Sequence, residues 1–226
     1  MKRTRSGWET GFNPNSIGHG IYFEVDMQDL MEIENGLNMT KDKTKQVLKA
    51  AINKTATDTN KLIMKEVYKR YQVTEKVKVK RGIDVTKKAI ISSLEAVITS
   101  KGKVNELYNF KVSPRVYVRG GGVPGGYKGK VLKKRGRNRR VELMPGGDGD
   151  TYKAFIVRYA SGHMTVAQRV PGKKSKKTYR EAIKSLFSPS IPTMVGYQEG
   201  VFGIVEPKMY DLLDKHIQAQ ILRYLG

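Results

Sequence analysis

The sequence predicts an α+β fold in which a long helix in the N-terminal half packs on a mostly antiparallel sheet. Three observations predict it: a helical apolar stripe over residues 40–71, β-like runs at residues 94–100 and 152–169, and a second helical stripe at residues 207–225. Strands and helices grouped in this way are typical of α+β proteins. A chain of 226 residues can bury a sufficient core without disulfide bonds.

The long helix is the clearest element. Apolar and small residues recur at steps of three and four, as the 3.6-residue helical repeat requires. They are Val47, Leu48, Ala51, Ile52, Thr55, Thr59, Leu62, Ile63 and Val67. A helix of about 30 residues is about 45 Å long, which suits the spine of a fold or an assembly interface.

Two elements are predicted before this helix. Residues 21–25 are apolar and β-favouring, so we expect a strand. The Asp26 carboxylate can accept the free N–H groups of a first helical turn, which predicts a helix as far as Gly36. Residues 1–20 are polar and contain glycine, so we expect an N-terminal arm followed by a single α+β domain over residues 21–226.

The middle of the chain is predicted to alternate between short elements. Residues 84–91 favour a short helix and residues 94–100 favour a strand. Leu107, Phe110 and Val112 are expected to be extended, because Pro114 biases the residue before it towards the β conformation.

A hairpin and a final helix are predicted for the last third. The β-like runs 152–160 and 163–169 meet at Gly162, which can adopt the positive φ of a tight hairpin turn. The amphipathic helix follows over residues 207–225, with the apolar stripe Leu212, Leu213, Ile217, Ile221 and Leu225. Pro207 suits its first turn.

Residues 119–150 differ from the rest of the chain. Glycines cluster at 120–126 and 146–149, and the basic run between them contains no acid. Such glycine-rich tips are not core, so we expect a long basic loop or flexible hairpin inserted in the domain. The candidate contact residues for a polyanion or partner are Lys128, Lys130, Lys133, Lys134, Arg135, Arg137, Arg139 and Arg140, and in a second run Lys173, Lys174, Lys176 and Lys177.

The net charge of +22 implies an anionic partner, since self-repulsion on this scale opposes compaction. Nucleic acid and an acidic protein surface are the candidates. A membrane is not expected, because no window approaches the ~20 apolar residues that span a bilayer. The absence of cysteine excludes disulfide frameworks, thiolate metal sites and a cysteine nucleophile.

No catalytic, metal or cofactor site is predicted, and we do not expect an enzyme. Residues 120–125 match G-x-G-x-x-G, but they do not open a helix and Pro124 removes one N–H donor. His19, His163 and His216 are scattered and are interpreted as turn or surface residues, since a metal needs converging ligands. Asp148 and Asp150 are interpreted as turn residues, because two carboxylates fall short of a calcium shell.

An ordered series of short motifs carries a family resemblance over residues 21–225. The motifs are Ala51-Ile52-Asn53-Lys54-Thr55-Ala56, Tyr68 to Val79, Asp84 to Ile90, Leu94 to Ile98, Leu107 to Pro114, Ala154-Phe155-Ile156, Ser161-Gly162-His163, Gln168-Arg169 and Ser188 to Met194. In this order they resemble the prophage minor tail protein Z family, tail-completion proteins of tailed phages. Two departures are Ser188, where the family's turn has glycine, and the long insertion at 119–150, whose role stays open.

The resemblance implies a structural protein of the virion, made in the bacterial host cytoplasm and placed at the head-proximal end of the tail. There it would complete the tail tube and enable head–tail joining, as a homo-oligomeric ring and by expectation a hexamer. Its implied neighbours are tail tube or sheath proteins, head–tail connector proteins and DNA passing the neck.

Three alternatives stay open. The same fold could form the collar of a headless, phage-derived contractile particle. A nucleic-acid-binding protein could use the loop at 128–140, and neutralising about eight phosphates would give a log–log salt slope near −7. An enzyme acting on a phosphate substrate would need a cluster of acids or histidines, which the sequence does not display.

Overall fold

A computed structural model describes residues 6–11, 18–24, 41–74, 79–119, 123, 127–133, 139–140, 142–145, 151–176 and 178–225. The chain forms two compact units. The first contains Met1–Val67, Lys78–Lys103 and Ser190–Gly226, and the second contains Tyr68–Val77 and Val104–Pro189. Long helices and antiparallel strands occur together in the described residues, which confirms the predicted α+β class. The assignment of residues 21–226 to one domain stays a prediction.

The first unit contains a four-stranded antiparallel sheet. Its strands are β1 (Ser6–Gly11), β2 (Gly18–Glu24), β3 (Ile83–Lys87) and β4 (Glu95–Lys101), in the order β1-β2-β4-β3. The predicted strands at 21–25 and 94–100 are confirmed as β2 and β4. The predicted helix at 26–36 lies outside the described residues.

Two predictions for this sheet were wrong. Residues 1–20 are not only an arm, because β1 pairs along its whole length with β2, from Ser6 opposite Phe23 to Gly11 opposite Gly18. Residues 84–91 are not a helix, because Ile83 and Val85 pair with β4. In both cases backbone pairing to a neighbouring strand decides the structure, and single-segment periodicity does not report such pairing.

The long helix is confirmed as α1, Lys41–Arg70. Its predicted stripe forms the buried face, with Leu62 half-buried. Asn53, on this helix, holds the segment after β3: its side-chain amide donates to the Ala89 carbonyl at 3.0 Å, and its amide oxygen accepts the Ala89 N–H at 2.8 Å. One helix residue thereby satisfies both backbone groups of Ala89, a buried loop position.

The C-terminal segment of the first unit contains two helices separated by a wide turn. Helix α2 (Ile191–Val195) is capped by Ser190, whose hydroxyl accepts the Thr193 N–H at 3.3 Å. A π-helical turn, Gln198–Phe202, leads into α3, Gly203–Leu225. Pro207 was predicted in the first turn, and this was wrong because the preceding π-helical turn starts the helix at Gly203.

Helices α1 and α3 run antiparallel within the first unit. Thr55 of α1 contacts His216 of α3, and Gln46 lies 3.5 Å from the Tyr224 hydroxyl. The earlier residue of α1 thus contacts the later residue of α3, as in an antiparallel pair. Val205, Met209, Leu213 and Ile217 form the buried stripe of α3. The predicted stripe is confirmed at Leu213 and Ile217, whereas Leu212 and Ile221 are half-buried.

The second unit is built from short antiparallel strands. They are β5 (Asn105–Glu106), β6 (Lys111–Ser113), β7 (Lys128–Lys130), β8 (Arg139–Arg140), β9 (Glu142–Pro145), β10 (Thr151–Lys153), β11 (Phe155–Arg158), β12 (Met164–Lys174), β13 (Glu181–Ser185) and β14 (Phe187–Ser188). They form two three-stranded sheets, β6-β7-β8 and β11-β12-β13, and the pairs β9-β10 and β5-β14.

The predicted hairpin is confirmed as β11 and β12, and Gly162 in its turn has φ +80°. The extended path expected at Leu107 was wrong, because Leu107–Asn109 forms a single 3-10 turn closed by the Phe110 N–H on the Leu107 carbonyl. The core of the unit consists of Leu107, Tyr108, Val112, Tyr127, Ala154, Ile156, Val166 and Leu186.

Candidate partner interface

The positive charge of the chain is concentrated in the second unit. This unit has 23 lysines and arginines against six aspartates and glutamates, a formal charge of +17 out of +22. The first unit has 20 against 15, a charge of +5. An excess of one sign on one part of a molecule produces a local field that attracts oppositely charged partners.

The first basic run begins in a sheet rather than in a loop. Lys130 pairs with Lys111 of β6, and Lys128 pairs with Ser113 on one side and Arg140 of β8 on the other. Residues 119–150 were expected to form a long loop or a flexible hairpin. The antiparallel pairing of β7 with β8 agrees with a hairpin, and the loop was wrong where β7, β8, β9 and the bridge at Leu132 lie. Strands form there because each can pair with a neighbour that the local sequence does not identify.

This sheet places like charges together. Lys128 and Lys130 are two residues apart and share one face of β7, and Lys111 lies directly opposite Lys130. Lys111 and Lys128 are exposed and Lys130 is half-buried. Like charges directly opposite each other destabilise a strand pair, and an anionic partner would relieve that repulsion.

Two contacts hold this basic strand in place. Tyr127, before it, is buried and its hydroxyl donates to the Val116 carbonyl at 2.9 Å. After it, the Lys133 N–H donates to the Arg70 carbonyl at 2.7 Å. Burial raises the pKa of Tyr127, and the buried ring is not available for base stacking.

The remaining residues of the first run are placed only in part. Lys133 is exposed. Arg139 and Arg140 lie in β8, at register positions opposite Gly129 and Lys128. Lys134, Arg135 and Arg137 lie outside the described residues.

The second run lies on a different sheet. Lys173 and Lys174 are exposed at the end of β12, and Lys176 is exposed in the following turn. Lys177 lies outside the described residues. The structure thus joins Lys128 and Lys130 with Arg139 and Arg140 on one sheet. It places Lys173 and Lys174 on another, with Lys176 in the turn that follows.

An exposed aromatic residue accompanies the second run. Tyr179 is 81% exposed and has φ +53°; its N–H donates to the Ser175 carbonyl at 3.0 Å, and the Ser175 N–H donates to the Arg180 carbonyl at 2.8 Å. A non-glycine residue held in the left-handed region costs about 1 kcal/mol or more and is often found at functional sites. Tyr179 was not among the predicted contact residues, because nothing in the local sequence pattern predicts its exposure.

We predict that Lys130→Glu will stabilise the protein by about 0.2–1 kcal/mol, because it replaces a repulsive cross-strand pair with an attractive one. Urea unfolding of the wild type and the variant measures this change. Lys103→Glu, at an exposed position outside the strands, is the control for the change in net charge. A Lys130→Glu variant no more stable than the Lys103→Glu variant would contradict the expected relief of repulsion.

The first unit contains a buried histidine cluster. His216 is buried; its Nδ1 lies 2.9 Å from the Thr55 hydroxyl, and its Nε2 lies 3.4 Å from an Asp58 carboxylate oxygen. The interpretation of His216 as a turn or surface residue was wrong, because its partner Thr55 is remote in sequence. His163 is exposed in the hairpin turn, near Glu106.

This cluster has the residue types of a catalytic triad but not the access. Thr55 is completely buried, and its hydroxyl also lies 2.8 Å from the Ala51 carbonyl within α1. A nucleophile must reach a substrate, and this hydroxyl instead satisfies buried groups of the helix pair. We interpret Thr55, Asp58 and His216 as a structural contact between α1 and α3.

Burial, followed by the charge of Lys54, lowers the pKa of His216 below its usual 6.5, while Asp58 opposes the shift. The unfolded chain therefore binds a proton more readily than the folded chain, and stability falls as the pH drops through 6.5. The hydrogen bond from Lys61 lowers the pKa of Asp58 below 3.8, so loss from Asp58 begins at more acidic pH. We predict that His216→Gln will flatten the pH dependence of urea unfolding between about pH 5 and 6.5.

His163→Gln is the control for this pH experiment, because it removes an exposed imidazole. It is expected to retain the loss of stability below pH 6.5 that the wild type shows. An unchanged slope in His216→Gln would contradict the assignment of that slope to His216.

Within the described residues, no group of three or more histidines, aspartates or glutamates could hold a metal ion. Asp148, Asp150 and all of residues 120–125 except Val123 lie outside them. In the same described part of the chain, every helix is too short or too polar to cross a membrane.

No protein-family model, curated protein or solved structure matches this chain.

Proposed function

We propose that this chain is a structural subunit at the head-proximal end of a phage tail, where copies of it form a closed ring that completes the tail and joins it to the head. The observation that carries the proposal is the concentration of +17 of the +22 charge in the second unit. The family resemblance of the sequence supplies the setting.

A subunit at the end of a tail has two tasks, and a basic second unit together with a nearly neutral first unit suits both. It must pack against copies of itself, and it must bind neighbours of different chemistry. A strongly basic unit favours acidic tail-tube, sheath or connector surfaces, because complementary charge accelerates encounter and excludes wrong partners. A nearly balanced first unit avoids most of the repulsion that would oppose closure of the ring.

Electron microscopy after deletion of the gene tests the proposal. We expect tails that are irregular in length, unjoined to heads, or joined in non-infective particles. Complementation with a variant carrying Lys128→Gln, Lys130→Gln and Lys133→Gln should reproduce the defect in part. A matched variant, Lys80→Gln, Lys88→Gln and Lys103→Gln, removes equal charge from exposed positions of the first unit and should restore infectivity. Normal infectious particles after deletion would refute the proposal.

The number of subunits can be measured directly. Native mass spectrometry at near-physiological salt should give a single closed species, and six copies is the expected number. The expectation of a ring rests on rotational symmetry: a head-to-tail interface repeats until it closes. If the particles carry no capsid, the same ring would be the collar of a headless contractile particle. Micrographs of the wild-type particles show whether a capsid is present.

The second candidate function is direct nucleic-acid binding, and Tyr179 is the observation that favours it. An exposed aromatic ring beside Lys176 and Arg180 provides a stacking surface together with phosphate contacts. We would measure binding of a short DNA duplex and a single strand as a function of salt. A plot of log K against log salt with a slope near −7 that becomes shallower when residues 128–140 are neutralised would support this function.

A further inference from the structure

One cleft of the second unit lies beside the second basic run, because Ser175, between Lys174 and Lys176, is among the residues that line it. It has a volume of about 890 Å³, and the residues that matter for its chemistry are Tyr117, Phe155, Val157, Arg158, Arg169 and Arg180. Phe155 and Val157 lie two residues apart on β11 and share one face of the sheet. The opposite face of the same strand carries Ile156, which lies in the core.

Strand register places an arginine over this apolar floor. Arg169 of β12 lies opposite Ile183 of β13, and its guanidinium lies 5.6 Å from the centre of the Phe155 ring. Ile183 is 42% exposed. The cleft therefore combines a half-covered apolar floor with a guanidinium held over an aromatic ring.

The cleft has more positive charge than its own carboxylates neutralise. Among the described residues, none of Arg158, Arg169 and Arg180 forms an ion pair with a carboxylate. Glu181 is the one acid among the residues lining the cleft, and it pairs along the strands with Lys174. Guanidinium groups favour carboxylates and phosphates because their planar donors match two oxygens at once.

The chain itself contains a segment of complementary chemistry. Residues 24–34 read Glu-Val-Asp-Met-Gln-Asp-Leu-Met-Glu-Ile-Glu, with five acids, five apolar residues and no lysine or arginine. In a chain of charge +22, a stretch of −5 that is also half apolar matches both features of the cleft, its arginines and its floor.

We propose that this cleft binds residues 24–34 of a neighbouring copy of the same chain. The inference rests on the ring assembly proposed above and names its interface. Because the segment and the cleft are different parts of the chain, their contact between copies is head-to-tail, and such a contact repeats around a ring. The apolar residues of the segment contact Phe155, Val157 and Ile183, and its carboxylates meet the arginines.

Two full-length variants test the proposal. The cleft variant carries Arg158→Gln, Arg169→Gln and Arg180→Gln; the segment variant carries Glu24→Gln, Asp26→Asn, Asp29→Asn, Glu32→Gln and Glu34→Gln. Light scattering after size exclusion should show the wild type as an oligomer and each variant alone as a monomer. Circular dichroism should show the cleft variant folded, because its three arginines are exposed. The same measurement on the segment variant checks that Glu24→Gln, at the end of β2, leaves the sheet intact.

Mixing the two variants distinguishes contacts between copies from contacts within one. The cleft variant retains the acidic segment and the segment variant retains the cleft, so the mixture should give a 1:1 dimer and no ring. Two monomers that stay monomeric when mixed would overturn the proposal, as would a cleft variant that still forms the wild-type oligomer. Lys80→Gln, Lys88→Gln and Lys103→Gln together form the charge-matched control, which should keep the oligomer.

A labelled peptide of residues 24–34 gives an independent affinity measurement on the segment variant. The three arginine substitutions, added to that variant, should weaken peptide binding by about tenfold, which is the order expected for three exposed ion pairs. Equal binding with and without the arginines would overturn the proposal. A short DNA strand that binds the cleft better than the peptide would also overturn it and would identify phosphate as the ligand. If the peptide does not bind the cleft but deletion of the gene still gives tails without heads, the interface proposed here is wrong and the proposed tail function is retained.

Discussion

Replacing Ile156 with alanine is expected to lower the free energy of unfolding by about 2–5 kcal/mol. Ile156 is 2% exposed, lies in β11 and belongs to the core of the second unit. Removing three buried carbons loses their transfer free energy and leaves a cavity that the strands on either side cannot fill. Urea unfolding followed by circular dichroism measures the loss.

The same substitution at Ile183 is the matched control. Ile183 lies in the same three-stranded sheet but on the other face, and it is 42% exposed. Its truncation is expected to cost less than about 1 kcal/mol, and it should weaken peptide binding in the cleft. Equal losses of stability at the two positions would show that the core and cleft faces of this sheet have been assigned wrongly.

The first helix was predictable almost to the residue. The expectation was residues 40–71 and α1 is Lys41–Arg70, because about eight turns of the same apolar spacing leave few other interpretations. Gly162 was predictable for a different reason. A tight antiparallel turn needs a residue with positive φ, and glycine between two β-like runs signals it.

The errors have a common physical cause. Residues 84–91 contain lysine, alanine and isoleucine at spacings that a helix also accepts, and only pairing with β4, such as Val85 with Ile98, makes the part up to Lys87 a strand. β1 is likewise stabilised by its partner β2. Strand formation depends on neighbours distant in sequence, whereas helix formation depends on residues within one or two turns.

The basic charge of the candidate interface was predictable from the sequence, but the position of the cleft was not. The basic runs could be read directly, and Lys128 and Lys130 were among the residues named. The cleft was not, because Arg158, Arg169 and Arg180 are separated along the chain by ordinary residues. Only the pairing of β11, β12 and β13 brings them to one cleft, with Arg180 directly before β13. The acidic segment at 24–34 is legible in the sequence, but its significance appears only when a cleft of opposite charge is known.

Replacing Gly82 with alanine is expected to destabilise the first unit by about 1–3 kcal/mol. Gly82 is buried between the turn Val79–Arg81 and β3. A Cβ there would lie 2.5 Å from Ile191 Cδ1 and 2.8 Å from the Lys101 carbonyl oxygen. The backbone cannot move away freely, because the Gly82 carbonyl accepts the Lys101 N–H at 2.8 Å. Thermal unfolding measures the effect.

Gly102→Ala is the matched control, because its Cβ would meet Pro192 and Ile191 at 3.6 and 3.7 Å, which is ordinary van der Waals contact. It is expected to be neutral or to stabilise by about 0.4–1 kcal/mol, since alanine reduces the entropy of the unfolded chain. Ile191→Val removes the Cδ1 atom and should recover part of the Gly82→Ala loss, measured as a coupling in a double-mutant cycle. The remaining loss would come from the carbonyl of Lys101, which no side-chain change can move, and from Ile191 Cγ2, which would lie 3.2 Å from the added Cβ and is kept in valine. Equal destabilisation by the two alanine substitutions would mean that backbone freedom, rather than space beside Ile191, explains the glycine at position 82.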